Sequence, residues 1–486
     1  MTSLVDHANA VISWLSVNLY NWVLIYLLLG IGAYMTIRTR FVQVRLLPRM
    51  FRALGSSRSD AEGGISSFQA FCVGLASRVG TGNIAGVSVA LVLGGPGAVF
   101  WMWVVALVGM ATAFVEATLA QMFKVRNEDG SFRGGPAYYI QRGLGSRRWG
   151  MVFAVLLIFA FGFAFNMVQA NTIGGSLAST FHLDTAWIAV GLMVITAPIL
   201  YGGVRRIAKV AEVILPVMAL IYVGLALVII ALNITAFPEV IRQIVAGAFG
   251  LDEALAGTAG GILAALLNGV KRGLFSNEAG MGSAPNTAAT ATVSHPAKQG
   301  LIQSLGVFVD TIVVCTATAF IVLVSGVYTP GTDPESGGAV LTQDSVASVL
   351  GGWTTVPMAL LIFVFAYSSI IGNYSYAEIN LNFLGVEGQR LRILQTLVLA
   401  AVGFGTLAQL ETVWMLADVA MALMATVNLV AIALLGKWAF GALRDYDAMT
   451  KRGADDRFVG RGNPHLPGDL PGDVWDPIDD GALRTH

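Results

Sequence analysis

Val79-Gly80-Thr81-Gly82-Asn83-Ile84-Ala85-Gly86 is the stretch whose reading decides the fold. It lies inside an apolar run of roughly thirty residues, Gly64 to Gly95, long enough to cross a bilayer with some to spare. Glycines at 80, 82 and 86, with Thr81 and Asn83 between them, are poor helix material, each glycine costing about 1 kcal/mol relative to alanine. In hydrocarbon, loosened backbone is tolerated only where it is buried in protein or lines a polar cavity. The stretch therefore predicts a discontinuous transmembrane helix whose freed amides and carbonyls face a ligand or an ion. Its spacing, G-x-G-x-x-x-G with no preceding strand, does not meet the dinucleotide-binding pattern.

Composition points the same way. Hydrophobic residues make up 56% of the chain and charged residues 12%, against about a quarter charged in a soluble domain. Mean hydropathy is +0.71. A net charge of zero excludes a generally basic nucleic-acid binder. Cys72 and Cys315 sit in apolar runs without a His or Cys at metal-ligand spacing, so they read as small buried hydrophobes. No Lys or Arg precedes the first apolar run, which is unlike a cleaved signal peptide. Nucleophile elbow, phosphate loop and metal-ligand cluster are all missing from the sequence, so neither an enzyme nor a cofactor is expected.

Eleven apolar segments are able to span: 11–36, 64–95, 97–123, 150–180, 186–202, 209–233, 256–292, 300–328, 351–384, 392–409 and 412–439. Basic residues cluster in alternate loops. Arg38, Arg40, Arg45, Arg49, Arg52 and Arg58 follow the first span, and Lys124, Arg126, Arg133, Arg142, Arg147 and Arg148 the third. The loop from Tyr328 to Leu350 has none, but holds Asp333, Glu335 and Asp344. The positive-inside rule then predicts an outside N-terminus and a cytoplasmic C-terminus. Phe237–Ala248 reads as a surface helix, and the Pro-, Gly- and Asp-rich end after about Lys437 as a disordered cytoplasmic tail.

With the first span set aside, two blocks of five remain. An odd number makes the second block start on the opposite side of the membrane. Each block opens on an interrupted helix, Gly80–Gly86 in the first and Asn268 to Asn286 in the second. Paired breaks in inverted halves point to a secondary transporter with its site at the midplane. The expected organisation is 1–63 for the extra helix and a basic loop, 64–235 and 236–440 for the two repeats, and 441–486 for the tail.

Several polar residues fall within the spans. Glu116, Glu212, Asp310, Glu378 and Asp418 are either cation or proton ligands, or partners of backbone amides and of Arg78, Lys271 or Arg272. A two-helix hairpin is expected to return Glu116 to the first break. Arg78 needs a buried carboxylate such as Glu116 or Glu278, or a polar vestibule. Ser368 and Ser369 either bond back to the preceding turn or add two hard oxygens to a sodium site. Asn166 and Gln169 share one helix face, where they line the cavity or join helices.

Gly94-Gly95-Pro96-Gly97-Ala98-Val99-Phe100-Trp101-Met102-Trp103-Val104, with Gly109, resembles the signature of the sodium:alanine (alanine or glycine:cation) symporters. Gly80–Val87, Gly134-Gly135-Pro136-Ala137-Tyr138-Tyr139, Arg272–Pro285 and His295-Pro296-Ala297-Lys298-Gln299-Gly300 are similar to that family too, and the likeness covers nearly everything but the tail. It implies an all-α polytopic membrane protein with 11 transmembrane helices: leucine-transporter-type inverted five-helix repeats plus one extra N-terminal helix. It also implies Na+-coupled uptake of a small neutral amino acid, alanine or glycine, across a bacterial inner membrane. By similarity, backbone around Thr81 and Gly82 receives the substrate carboxylate at a half-helix N-terminus. Ala76 and Val79 carbonyls with Ser368 and Ser369 form the Na+ site. Asn83 serves the break or a second cation, and with Asn166, Gln169, Asn277 and Asn373 completes the expected substrate set.

Two positions depart from members associated with alanine. Those tend to carry Ala-Thr where Ser77-Arg78 stand, and a tryptophan where Asn373 follows Gly372. A smaller, polar side chain there implies a roomier pocket and widens the expected substrates to serine or glutamine. An ion channel is the rival from another class. It would need no paired, amide-rich helix breaks.

Overall fold

The computed structural model describes residues 12–57, 65–128, 130–201, 204–251, 261–332, 338–386, 388–453 and 457–476. The side chains of Arg205, Arg206, Lys209 and Glu212 lie outside the described set, as do Arg58, Asp333, Glu335 and the ends 1–11 and 477–486.

Helices dominate. The first part of the chain forms α1 (Ile12–Arg38), α2 (Leu47–Gly55), α3 (Ser67–Arg78), α4 (Gly82–Gly94), α5 (Gly97–Met122) and α6 (Pro136–Gly143). Next come α7 (Arg147–Phe181), α8 (Thr185–Leu200), α9 (Val204–Leu232), α10 (Phe237–Ala248) and α11 (Gly261–Asn277). The chain closes with α12 (Pro296–Val324), α13 (Gly338–Leu350), α14 (Thr355–Phe383), α15 (Gln389–Leu407) and α16 (Leu410–Arg452). A short antiparallel pair, Val125–Arg126 with Phe132–Arg133, joins α5 to α6. Among the described residues, seven helices are long and apolar enough to cross a membrane, and two bent pairs raise this to nine. The two other expected spans correspond to α8, apolar but 16 residues long, and α11, which is 17 residues long and contains Lys271 and Arg272.

The first break forms where the glycines predict it. A capping box between Ser66 and Gln69 starts α3, satisfying two of the free amides at its N-terminus. Helix α3 ends at Arg78, Val79 is extended (φ −77°, ψ 90°), and α4 resumes at an angle of 47°. Its first turns, Gly82–Gly86, are π-helical, a form that recurs at functional sites.

The second break is narrower than expected. Asn268 to Asn277 is regular helix, and only Glu278–Ser283 is irregular. Glu278 has φ 57°, Gly280 φ 96° and Gly282 φ 82°, left-handed geometry that glycine adopts without steric cost. Two polar groups that made α11 look interrupted are packed instead. Arg272 donates to both oxygens of Asp418 at 2.6 Å, and Asn268 Nδ2 reaches the Leu93 carbonyl at 3.2 Å.

Glu116 serves the second break, not the first. Its carboxylate accepts the Gly280 N–H at 3.0 Å and a short hydrogen bond from Asn428. Helix α5 is 26 residues long, about 39 Å at 1.5 Å per residue, enough to carry Glu116 past the first break. Close approach of α5 to its neighbours rests on small residues, as is general for membrane helices. A Cβ at Gly109 would stand 2.9 Å from Ala279 Cβ, and one at Gly97 2.5 Å from the Gly247 carbonyl oxygen.

Two further expectations are corrected. The loop Tyr328–Leu350 contains α13, whose Leu341, Thr342, Ser345 and Val346 are buried. Of the expected disordered tail 441–486, residues 441–453 and 457–476 are ordered, and the remainder lies outside the described residues. Helix α16 runs 43 residues to Arg452, about 65 Å, far beyond a hydrocarbon core of about 30 Å. Residues 457–476 then pack back on the bundle through buried Phe458, Leu470, Val474 and Trp475. Phe458 N–H donates to the Ser294 carbonyl at 2.9 Å, and Trp475 Nε1 to the Gln121 carbonyl at 2.8 Å. Those apolar anchors hold a segment whose Pro, Gly and Asp content reads as unstructured.

Candidate functional site

The first break brings α3, α4, α7, α12 and α14 to one buried point, with α11 beside them. Space there is set by missing side chains: a Cβ at Gly80 would collide with Ser369 Oγ, and one at Gly82 would lie 3.0 Å from Ser276 Cα. The amides at the break are not left bare. Gly80 N–H donates to Asn83 Oδ1 at 3.0 Å, and Thr81 N–H donates to Gln169 Oε1 at 3.2 Å. Two adjacent amides at the N-terminus of α4, each meeting a neutral carbonyl oxygen, are donors that suit the oxygens of a carboxylate. The Thr81 hydroxyl is buried without a partner among the described residues.

Asn83 ties this point to α11 and α12. Its Nδ2 lies 2.5 Å from Asp310 Oδ1 and 3.2 Å from Ser276 Oγ. Asp310 Oδ2 also accepts from Ser276 Oγ and Thr311 Oγ1, both at 2.8 Å. Asp310 is fully buried and forms no ion pair within 4 Å among the described residues. Hydrogen bonds alone offset its desolvation, a costly arrangement for an ionised carboxylate. The π turn at Phe308–Cys315 contains it.

On the α14 side, Ser369 Oγ donates to the Ala76 carbonyl at 2.9 Å, so two of the four expected Na+ ligands are brought together. Ser368 is not: its hydroxyl bonds back to Phe365 of its own helix at 2.8 Å. Asn373 and Asn166 are joined, Nδ2 to Oδ1 at 3.1 Å. Ser77 Oγ then lies 2.5 Å from Asn373 Oδ1 and 3.0 Å from Glu278 Oε1, linking the two breaks. Asn277 stands apart from this group. Its Oδ1 accepts the Ala279 N–H at 3.0 Å, and its Nδ2 has no partner among the described residues. Arg78 pairs with no carboxylate within 4 Å among the described residues, and instead donates to Gln303 Oε1 at 2.9 Å.

Sequence reading missed the aromatic wall. Phe161, Phe165, Phe275 and Trp414 stack in a column with centroid spacings of 4.5, 4.4 and 4.6 Å. Phe275 Cδ1 would lie 3.1 Å from a Cβ at Gly82. Arg272 caps the column, 4.3 Å from the Trp414 ring, in cation–π range. The four-residue spacing of Phe161 and Phe165 was the available signal. Helix α13 covers the other side: Thr342 Oγ1 donates to the Ile84 carbonyl at 3.1 Å and meets Ser88 Oγ at 2.7 Å. A cavity of about 290 Å³ opens between α7, α13 and the α15–α16 junction, lined in part by Thr172, Ser176 and Gln409. Thr172 is one turn along α7 from Gln169, on the same face.

The sequence that builds this broken helix and the serine-bearing helix opposite it matches a known family over most of the chain. The family model of the sodium:alanine symporter family matches residues 5–460. The chain belongs to the sodium:alanine symporter family. Membership makes it a multi-pass membrane transporter rather than an enzyme. It is 49% identical to the amino-acid carrier protein AlsT of Bacillus subtilis, over 93% of this chain and 95% of that one. It is 48% identical to the probable sodium/glutamine symporter GlnT of the same organism, over 96% of each. Identity to the sodium/alanine symporter AgcS of Methanococcus maripaludis is 38%, over 90% and 98%. The fold is like that of MhsT, solved in complex with L-phenylalanine, at a TM-score of 0.59 and 16% identity, over 78% of this chain and 91% of that one.

Proposed function

We propose that this protein couples the inward movement of Na+ to uptake of a small neutral amino acid, alanine or glycine, by alternating access. The observation that carries the reading is the pair of amides at Gly80 and Thr81, already held against carbonyl oxygens of Asn83 and Gln169. A substrate carboxylate takes the place of those oxygens at the N-terminus of α4, where the helix dipole favours negative charge. Thr81, Gly82, Asn83, Asn166 and Gln169 surround it, Asn373 sets the far wall, and Asn277 holds the second break. Na+ sits beside them on the carbonyls of Ala76 and Val79 and the hydroxyl of Ser369, with Ser368 joining after a rotamer change. These are hard oxygens, suited to a small hard cation.

In this reading eleven helices span the bilayer: one extra helix, then the inverted repeats 64–235 and 236–440. The order of long helices supports it, since a broken helix followed by four continuous ones occurs twice. The N-terminus faces outward and the C-terminus the cytoplasm of a bacterial cell, because the basic loops alternate. One Na+ moving through 100 mV supplies about 2.3 kcal/mol, and a tenfold Na+ gradient about 1.4 kcal/mol more. That supports accumulation by about several hundredfold, enough for nutrient uptake with a single ion.

A second reading keeps the mechanism and makes glutamine the main substrate. The Asn373–Asn166 amide pair favours it, since each amide can exchange its partner for a substrate amide. Competition against labelled alanine uptake by a panel of amino acids separates the two. Inhibition by alanine and glycine alone supports the first reading, and inhibition by glutamine at equal or lower concentration supports the second.

A further inference from the structure

A groove of about 590 Å³ lies far from the helix breaks, where the end of α1, the extension of α16 and the returning segment near His465 meet. Arg38, Arg40, Lys437 and Arg444 line it. None of the four forms an ion pair within 4 Å among the described residues. Asp447, the one carboxylate lining the groove among the described residues, is taken by Arg45 at 2.8 Å and Arg49 at 3.1 Å. Arg38 lies 5.2 Å from the Phe440 ring, and Arg444 donates to the His465 carbonyl at 3.1 Å. Four cationic groups thus share one concavity, and among the described residues none of them is paired with a carboxylate.

The surface beside the groove is apolar. Ile37 is 64% exposed, and Leu434 is 64% exposed one turn before Lys437 on the same face of α16. Tyr34, one turn before Arg38, packs edge-on against Phe440 at 6.0 Å. Along both helices the exposed character switches from apolar to basic within a single turn. That switch marks the level where hydrocarbon gives way to headgroups, and the groove sits at that level.

We propose that this groove is a binding site for one anionic phospholipid. Its phosphodiester is held by Arg38, Arg40, Lys437 and Arg444, and its acyl chains lie along Ile37 and Leu434. Guanidinium groups match phosphate oxygens in a bidentate fork, and basic pockets between membrane helices favour anionic headgroups. The lipid would clamp α1 to the extension of α16, and through His465 to the returning segment.

The test is native mass spectrometry of the full chain in detergent, titrated with phosphatidylglycerol, with phosphatidylcholine of the same acyl chains, and with inorganic phosphate. The expected result is one phosphatidylglycerol retained at least tenfold more tightly than phosphatidylcholine. The variant R38Q/R40Q/K437Q/R444Q is expected to reduce that preference to within twofold. Substituting Arg52, Arg147 and Arg148, basic residues outside the groove, is expected to leave it unchanged. Should the fourfold variant not fold, R40Q and K437Q separately are each expected to lower the preference at least threefold. Equal retention of the two lipids, or an unchanged preference in the groove variants, overturns the proposal. Competition by millimolar inorganic phosphate also overturns it, by assigning the groove to a soluble anion.

Discussion

Gln169 Oε1 accepts the Thr81 amide at 3.2 Å across two helices separated by 88 residues of chain. The contact fixes α7 against the half-helix that resumes after the break, and it places a neutral oxygen where a carboxylate is proposed to bind. Replacing Gln169 by Ala leaves a buried N–H without its partner, worth about 1–3 kcal/mol. The substrate carboxylate then takes up that N–H without displacing an amide oxygen, so the KM for alanine is expected to fall, by about 5- to 150-fold. Uptake kinetics in proteoliposomes measure it, and an unchanged KM removes Gln169 from the site.

The two serines of α14 should behave differently. Ser369 reaches the Ala76 carbonyl of α3, whereas Ser368 bonds within its own helix. Ser369→Ala is expected to raise the Na+ concentration for half-maximal uptake by about fivefold or more, and Ser368→Ala by less, on the scale of one lost ligand oxygen. Na+-activation curves at saturating alanine separate the two. Equal effects would show that both hydroxyls face the ion.

Gly80 and Gly175 form a matched pair for a steric test. A Cβ at Gly80 meets Ser369 Oγ and Gln169 Oε1, and one at Gly175 meets nothing within 4 Å. Gly80→Ala is expected to abolish transport with the protein still present in the membrane. Gly175→Ala should keep wild-type rates, with stability unchanged or raised by up to about 1 kcal/mol. Uptake normalised to protein amount by immunoblot is the readout.

Arg272 and Asp418 are both buried and joined by two 2.6 Å contacts. Asp418→Asn strands the guanidinium, a loss of about 3–5 kcal/mol for breaking a buried pair from one side. A lower midpoint of thermal unfolding in detergent is expected. Arg272→Leu combined with Asp418→Leu should recover part of it, since the buried guanidinium goes with its carboxylate, and only part, because Lys271, 3.6 Å from Asp418 Oδ2, still loses its partner.

Asn373 is wired to Asn166 and Ser77 rather than pointing into open space. Asn373→Trp substitutes a large indole for that relay and should narrow the pocket. Serine and glutamine are expected to stop competing with labelled alanine, while unlabelled alanine and glycine still do. Retained inhibition by glutamine would place its side chain elsewhere.

The first break was legible because three glycines within seven residues have no other use in an apolar run. The second was read too broadly. Asn268 and Arg272 look like interruptions in a sequence, yet they are satisfied by Leu93 and Asp418 on other helices. A hairpin rule alone returns Glu116 to the first break, whereas the length of α5 carries it on to Gly280 at the second. The Asn166–Asn373–Ser77 relay joins residues 207 and 296 apart, and no local periodicity encodes it. Helix α13 and the docked segment 457–476 were missed for one reason: a few apolar anchors decide their packing, and polar neighbours mask them.

The central claim is that a Na+ gradient drives amino-acid accumulation through this site. Its most direct measurement is uptake of labelled alanine and labelled glutamine into proteoliposomes of the purified chain, with an inward gradient of Na+ or of choline. Saturable accumulation above the outside concentration with Na+, lost with choline and lost in Gly80→Ala, is the predicted result. Equilibration without accumulation, or equal uptake in choline, would contradict it.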